Sequence, residues 1–116
     1  MGLGLSFAGA RKPGSKRDGG SWDRDTLTKV WNKAALRPGY DASQFRLDAC
    51  GAIIEWTKYG DVTENGTGWE VDHIRAVANG GSDDLSNLQA LQWQNNRHKS
   101  DNPWNPSTCC KVSRTK

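Results

Sequence analysis

GWEVDHIRAVANGGSDDLSNLQALQWQNNRHKSD, residues 68–101, is the stretch that decides how this chain folds. Residues 69–74 (WEVDHI) are a short run with β-branched and aromatic side chains, which reads as a strand. Asn79-Gly80-Gly81 marks a loop. Residues 85–91 give a second short extended piece, and residues 92–100 (QWQNNRHKS) read as a helix that Asp101, Asn102 and Pro103 end. The order is strand, loop, strand, helix. A hairpin followed by a helix can bring Asp72 and Asn96 together although they lie 24 positions apart.

That unit carries the residue types that phosphodiester cleavage needs: a base to deprotonate water, a cation to neutralise charge on the phosphoryl and leaving oxygens, and a scaffold holding both in line. His73 is the natural base, because an unperturbed imidazole pKa of about 6.5 leaves it neutral at cellular pH. Asp72 supplies a hard carboxylate oxygen suited to Mg²⁺ or Mn²⁺, and an asparagine amide oxygen from the helix, Asn95 or Asn96, completes a sparse shell. Taken singly these features are bland. An Asp-His pair is usually a plain polar contact, two glycines signal a turn, and Asn95-Asn96 are poor helix formers with some local purpose. Together, in order along one hairpin–helix unit, they supply the residue types such cleavage requires. Glu70 shares a strand face with Asp72 by the two-residue period, so it either assists a cation, orients a water, or is an ordinary surface carboxylate. Arg97 and Lys99 on the helix, and Arg75 just after the first strand, are candidate phosphate contacts, with solvated side chains the competing reading.

Working outward, Leu27, Val30, Trp31 and Ala34 recur at i, i+3, i+4 and i+7, an amphipathic helix. Ser21 or Asp23 caps it and Pro38-Gly39 stops it. Residues 41–48 read as a turn and connector, 52–56 (AIIEW) as a strand, and 58–68, with three glycines, as a loop. The expected fold is α+β: one small domain over residues 21–102 with an amino-terminal helix. A flexible basic arm (1–20) precedes it and an extended basic tail (103–116) follows.

The bulk composition agrees with one modest core: 116 residues, 34% hydrophobic, with six tryptophans. No apolar run approaches the roughly 20 residues of a membrane span, so no membrane association is expected. The first ten residues lack the charged start and long apolar middle of a secretion signal. Gly2 and Ser6 match a loose myristoylation pattern that recurs by chance. The three cysteines are an odd count without a CxxC pair, so neither a disulfide framework nor a four-cysteine zinc site is expected. Cys50 reads as a small core residue, and adjacent Cys109 and Cys110 suit a cytoplasmic setting. The net charge of +3 is unevenly spread: residues 1–24 carry five basic and two acidic side chains, residues 103–116 three basic ones, and the middle eight basic against eleven acidic. Basic arms around an acidic centre commonly bind nucleic acid through phosphates, although such arms also serve simply as solvated tails.

The quoted stretch resembles the HNH nuclease signature, with a DHI start, a GGSDDLSNL centre and an NRxKSD end. Asn87 follows His73 by 14 positions and Asn96 follows Asn87 by nine, the spacing of the nuclease module in RNA-guided CRISPR effectors. Residues 30–60 (VWNKAALRPGYDASQFRLDACGAIIEWTKYG) also resemble the amino-terminal part of compact single-domain HNH proteins. The resemblance implies a ββα-metal (His-Me) finger of the HNN variant. In it His73 is general base, Asn87 braces the loop bearing His73, and Asp72 and Asn96 bind a divalent cation, Mg²⁺ before Mn²⁺. It further implies endonucleolytic hydrolysis of DNA rather than RNA, duplex favoured, with 5′-phosphate and 3′-hydroxyl products. The alternative is a non-catalytic nucleic-acid-binding module derived from a nuclease. The sequence departs from relatives that staple the finger with zinc: two positions of their helix cysteine pair are Gln92 and Asn95 here, so no structural zinc is expected and Trp56, Trp69 and Trp93 must pack in its place. A proline frequent after DHI is Ala76, and His98 lies near the final histidine of some relatives, though Asn96 holds the aligned spacing.

Overall fold

The computed structural model describes residues 11–113. The pattern at Gly2 and Ser6, the first half of the expected arm, and Arg114 and Lys116 lie outside these residues. The first helix, α1 (Arg24–Lys33), starts where Asp23 accepts a hydrogen bond from Thr26 N at 2.7 Å, and Asp25 complements the positive end of its dipole. Val30 and Trp31 are buried from its inner face, with Leu27 and Ala34 packed beside them. The helix ends before Pro38-Gly39, because Ala35–Leu36 (β1) peel away to pair with Phe45–Leu47 (β2). The Pro-Gly pair instead lies in the turn between these strands. Strand β2, expected as a connector, also pairs antiparallel with Ile53–Glu55 (β3), register Arg46↔Ile54. Three residues are too few to show an alternating pattern in sequence.

The hairpin expected from residues 68–101 forms from β4 (Trp69–His73) and β5 (Leu88–Gln92), in antiparallel register from Trp69↔Gln92 to His73↔Leu88. All five β4 residues are buried because both faces are covered. Trp69 and Val71 enter an apolar core with Trp22, Val30, Trp31, Ile54, Leu88 and Ala90. Glu70 and Asp72, on the opposite face by the strand period, meet Asn96, Arg97 and Lys99 of α2 (Trp93–Lys99). The core's aromatic centre is Trp31, Trp56 and Trp69, with ring centroids 5.3–5.9 Å apart. Trp93 does not join them. It is half-buried beside Thr63, whose carbonyl accepts its indole N–H at 2.8 Å, so Trp31 takes the packing role expected of Trp93.

Two expectations about the chain ends are corrected. Residues 103–113 are not an extended tail: α3 (Pro106–Cys109) forms behind an Asn105 cap, and Cys110 is disulfide-bonded to Cys50, 60 positions away. Cys50 is therefore a bridge residue rather than a core filler, and Cys109 is the buried free thiol. The intracellular expectation had rested on unpaired cysteines and loses that ground. Asn95 seals the segment against α2: its Oδ1 accepts from Lys111 N (2.7 Å) and Val112 N (2.6 Å), and its Nδ2 donates to Val112 O (2.8 Å) and Asp48 (3.0 Å). Asp48 also accepts from the backbone N–H groups of Cys50, Ala52 and Gln92, each at 2.8 Å. Burial pushes its carboxyl pKa up, against the pull of these donors. An aspartate, an asparagine and a disulfide thus tie the elements together.

Residues 11–20 likewise dock rather than float. Trp22 donates its indole N–H to Gly14 O at 2.7 Å, and Arg17 reaches the hairpin loop through its backbone N–H to Asp83 (3.0 Å) and its guanidinium to Gly81 O (3.3 Å). No helix among the described residues is long and apolar enough to cross a membrane.

Candidate active site at the hairpin–helix cleft

The end of β4, the middle of α2 and the 11–14 segment enclose a cleft of about 240 Å³. Asp72, His73 and Asn96 line it together, joined by Asp101 and by three basic residues, Arg11, Lys12 and Arg97. The three positions on which phosphodiester chemistry would depend thus face one space, although Asp72 and His73 are neighbours on a strand.

His73 is held from several directions. Its ring is buried and lies 5.7 Å from that of Trp22. Its backbone carbonyl accepts from Lys99 Nζ at 2.9 Å, and its Nε2 is 2.8 Å from Asp83 Oδ1. Burial alone would raise the Asp83 pKa, but hydrogen bonds from His73 and Arg17 N, with the His73 and Lys16 charges, hold it below the ordinary carboxylate value. Asp72 is buried; its Oδ2 accepts from Gln89 Nε2 at 2.9 Å and its Oδ1 is 3.1 Å from Lys99 Nζ. Burial pushes the Asp72 pKa up despite the opposing pull of Gln89, Lys99 and His73.

Asn96 donates its amide N–H to Glu70 Oε1 at 2.8 Å, and no described residue donates to its Oδ1. Glu70 is buried and neither a surface carboxylate nor a member of the cleft lining: it fixes Asn96 on one side and pairs with the Arg97 guanidinium at 2.8 Å on the other. Asn87 grips the loop after β4. Its Oδ1 accepts from Arg75 N at 2.8 Å, and its Nδ2 donates to Arg75 O (3.1 Å) and Ser82 O (2.8 Å). Gly80 has φ +88°, a left-handed conformation, and a Cβ on Gly81 would overlap the Arg75 carbonyl and crowd the Asn87 amide. The Gly-Gly pair is therefore what lets Asn87 reach this loop.

Among the candidate phosphate contacts, Arg97 is exposed and lies over the Trp93 ring, 5.5 Å from its centroid. Arg75 is exposed outside the cleft and donates to Asn79 O at 2.8 Å. Lys99 is corrected: with 0% exposure and both partners inside the fold, it cannot reach a phosphate and instead ties Asp72 to the His73 carbonyl. His98 is exposed and borders a different surface hollow with Trp93, Gln94, Arg97 and Lys111. Asn95 is buried and serves the carboxy-terminal segment. Asp83 and Gln89 are not among the expected site residues, whereas Arg11 and Lys12 belong to the basic arm expected to meet phosphates. Only the acidic pair after Gly-Gly hinted at Asp83, and nothing in the sequence placed the 11–14 segment beside the cleft.

The donors available for a cation suit a hard ion. Each carboxylate oxygen has two lone pairs, so Lys99 and Gln89 leave Asp72 with spare capacity, and Asn96 Oδ1 has no described donor. No cluster of three or more His, Cys, Asp or Glu side chains converges among the described residues, so water and phosphate oxygens would have to fill the shell, as Mg²⁺ prefers.

No curated protein and no solved structure matches the chain significantly. The family model described as HNH endonuclease matches residues 50–102, the span from the bridge cysteine through β3, the β4–β5 hairpin and α2. That family consists generally of endonucleases, and its match takes in β4 and α2, which with the 11–14 segment enclose the cleft: residues 50–102 of this chain match the HNH endonuclease domain.

Proposed function

We propose that the protein is a metal-dependent DNA endonuclease in which His73 is the general base and Asp72 and Asn96 are the cation ligands. The observation that carries this reading is the shared cleft: a buried imidazole, a buried carboxylate and an amide oxygen without a described donor line one space under a basic rim. His73 takes a proton from a water held beside the phosphorus. The hydroxide attacks, the bond to the 3′ oxygen breaks, and that oxygen takes a proton from solvent, leaving 5′-phosphate and 3′-hydroxyl ends. Asp72 and Asn96 would hold a divalent cation, Mg²⁺ by the hardness of these donors, which would supply charge neutralisation to the reacting phosphate. Asn87 keeps the loop after His73 in place, Glu70 holds Asn96, and Lys99 fixes the backbone between Asp72 and His73. Arg11, Lys12 and Arg97 neutralise flanking phosphates, with Arg75 on the adjacent loop.

A second reading, a binding module without catalysis, has one observation in its favour: both Asp72 oxygens already have protein partners. A metal-by-substrate panel separates the two. Duplex DNA, single-stranded DNA and RNA are each incubated with Mg²⁺, Mn²⁺ or chelator. Cleavage of DNA that the chelator abolishes supports the enzyme, and tight binding without cleavage under every ion supports the module.

A further inference from the structure

We infer that Asp83 is the positioning residue for His73, fixing the neutral imidazole as the Nε2–H tautomer so that Nδ1 is the nitrogen left to accept a proton. The inference rests on the nuclease reading above and extends it to a residue outside the cation-binding set.

The geometry points there in three steps. Asp83 Oδ1 lies 2.8 Å from His73 Nε2, and a carboxylate can only accept, so the proton of that bond belongs to the imidazole. A neutral imidazole has one N–H, so placing it on Nε2 leaves Nδ1 with the lone pair. Asp83 is in turn held by the backbone N–H of Arg17, 3.0 Å from Oδ1 and 3.3 Å from Oδ2, while the Arg17 guanidinium donates to Gly81 O. The amino-terminal segment thus reaches the base through the aspartate. With the Trp22 ring on one side and Lys99 on the His73 carbonyl, ring and backbone are both restrained.

The test combines a spectroscopic readout with kinetics on the full chain. Long-range ¹H–¹⁵N spectra of the His73 ring, recorded at alkaline pH without added metal, report which nitrogen bears the proton. The wild type should show the Nε2–H tautomer. Asp83→Ala should redistribute the proton and lower kcat by roughly 10- to 100-fold, with KM changed by less than about threefold, since general-base catalysis contributes about 10²–10⁴. Asp83→Asn, whose amide oxygen can occupy the Oδ1 position and still accept, should keep the tautomer and recover part of the rate. A purely structural role would lower the melting temperature and leave the tautomer alone. A wild-type ring protonated on Nδ1, or an Asp83→Ala ring unchanged in tautomer with full kcat, overturns the inference. Absence of cleavage by the wild type under any divalent ion sinks the nuclease reading instead, and the tautomer spectra then still decide what Asp83 does.

Discussion

Replacing both bridge cysteines, Cys50→Ser with Cys110→Ser, should cost the fold about 4 kcal/mol. The bridge spans 60 positions, more than half of the chain. In the chain-entropy account, closing a loop of that length removes about 14 cal/mol/K from the unfolded ensemble, close to 4 kcal/mol at 25 °C. Against a total stability of about 5–15 kcal/mol for a small domain this is a large share. Serine is the suitable replacement because both positions are half-buried, so its hydroxyl keeps some access to water. The free thiol of Cys109 is buried and cannot substitute. Urea unfolding followed by tryptophan fluorescence measures the loss. With a slope of about 1.5 kcal/mol/M for a domain of this size, the midpoint should fall by nearly 3 M. Wild type treated with reductant should unfold with the double variant, whereas the oxidised wild type should not. A midpoint shift below about 0.5 M, or reduced and oxidised wild type unfolding together, would refute the reasoning.

Lys99→Met should destabilise by about 3–5 kcal/mol, because it strips a buried partner from the Asp72 carboxylate; adding Asp72→Asn should recover much of that loss in the same urea assay, and a cost under about 1 kcal/mol would show that the pair is not what holds β4 to α2. Asn87→Ala leaves Arg75 N, Arg75 O and Ser82 O without their side-chain partner, which should cost about 1–3 kcal/mol and slow cleavage through the His73 loop; unchanged cleavage would remove its bracing role. The Asp83 carboxyl has a lowered folded pKa, so its stabilisation is present above the unfolded value of about 3.9 and is lost as pH falls through the folded value. Asp83→Asn should therefore melt below the wild type near neutral pH and approach it in strong acid, and a gap independent of pH would contradict the assignment.

How much of this was legible in the sequence depends on the range of the interactions. The hairpin and α2 were readable because their signals are local: a short β-branched strand, Gly-Gly, and a helix stopped by Pro103. Helix α1 was readable from the spacing of Leu27, Val30, Trp31 and Ala34, but its end was misplaced, since β1 exists only through pairing with β2. The cleft's central members, Asp72, His73 and Asn96, were singled out by the resemblance of residues 68–101 to the HNH signature, since the residue types alone left Asn95 and Asn96 open. Their partners were not. Lys99 looks like any exposed helical lysine until α2 is laid across the hairpin, and Glu70 looks like an ordinary acid until Asn96 and Arg97 close over it. Asp83 and Arg17 lie 66 positions apart, and Cys50 and Cys110 lie 60 apart. Contacts of that separation leave no periodic trace, so the docked amino-terminal segment and the carboxy-terminal bridge emerged only from the folded chain.

The most direct test of the nuclease account compares wild type with His73→Ala on supercoiled plasmid in Mg²⁺, after melting curves establish that both are folded. The account predicts chelator-sensitive nicking by the wild type and a rate at least about 100-fold lower for the variant. A folded His73→Ala that cuts at the wild-type rate would contradict it.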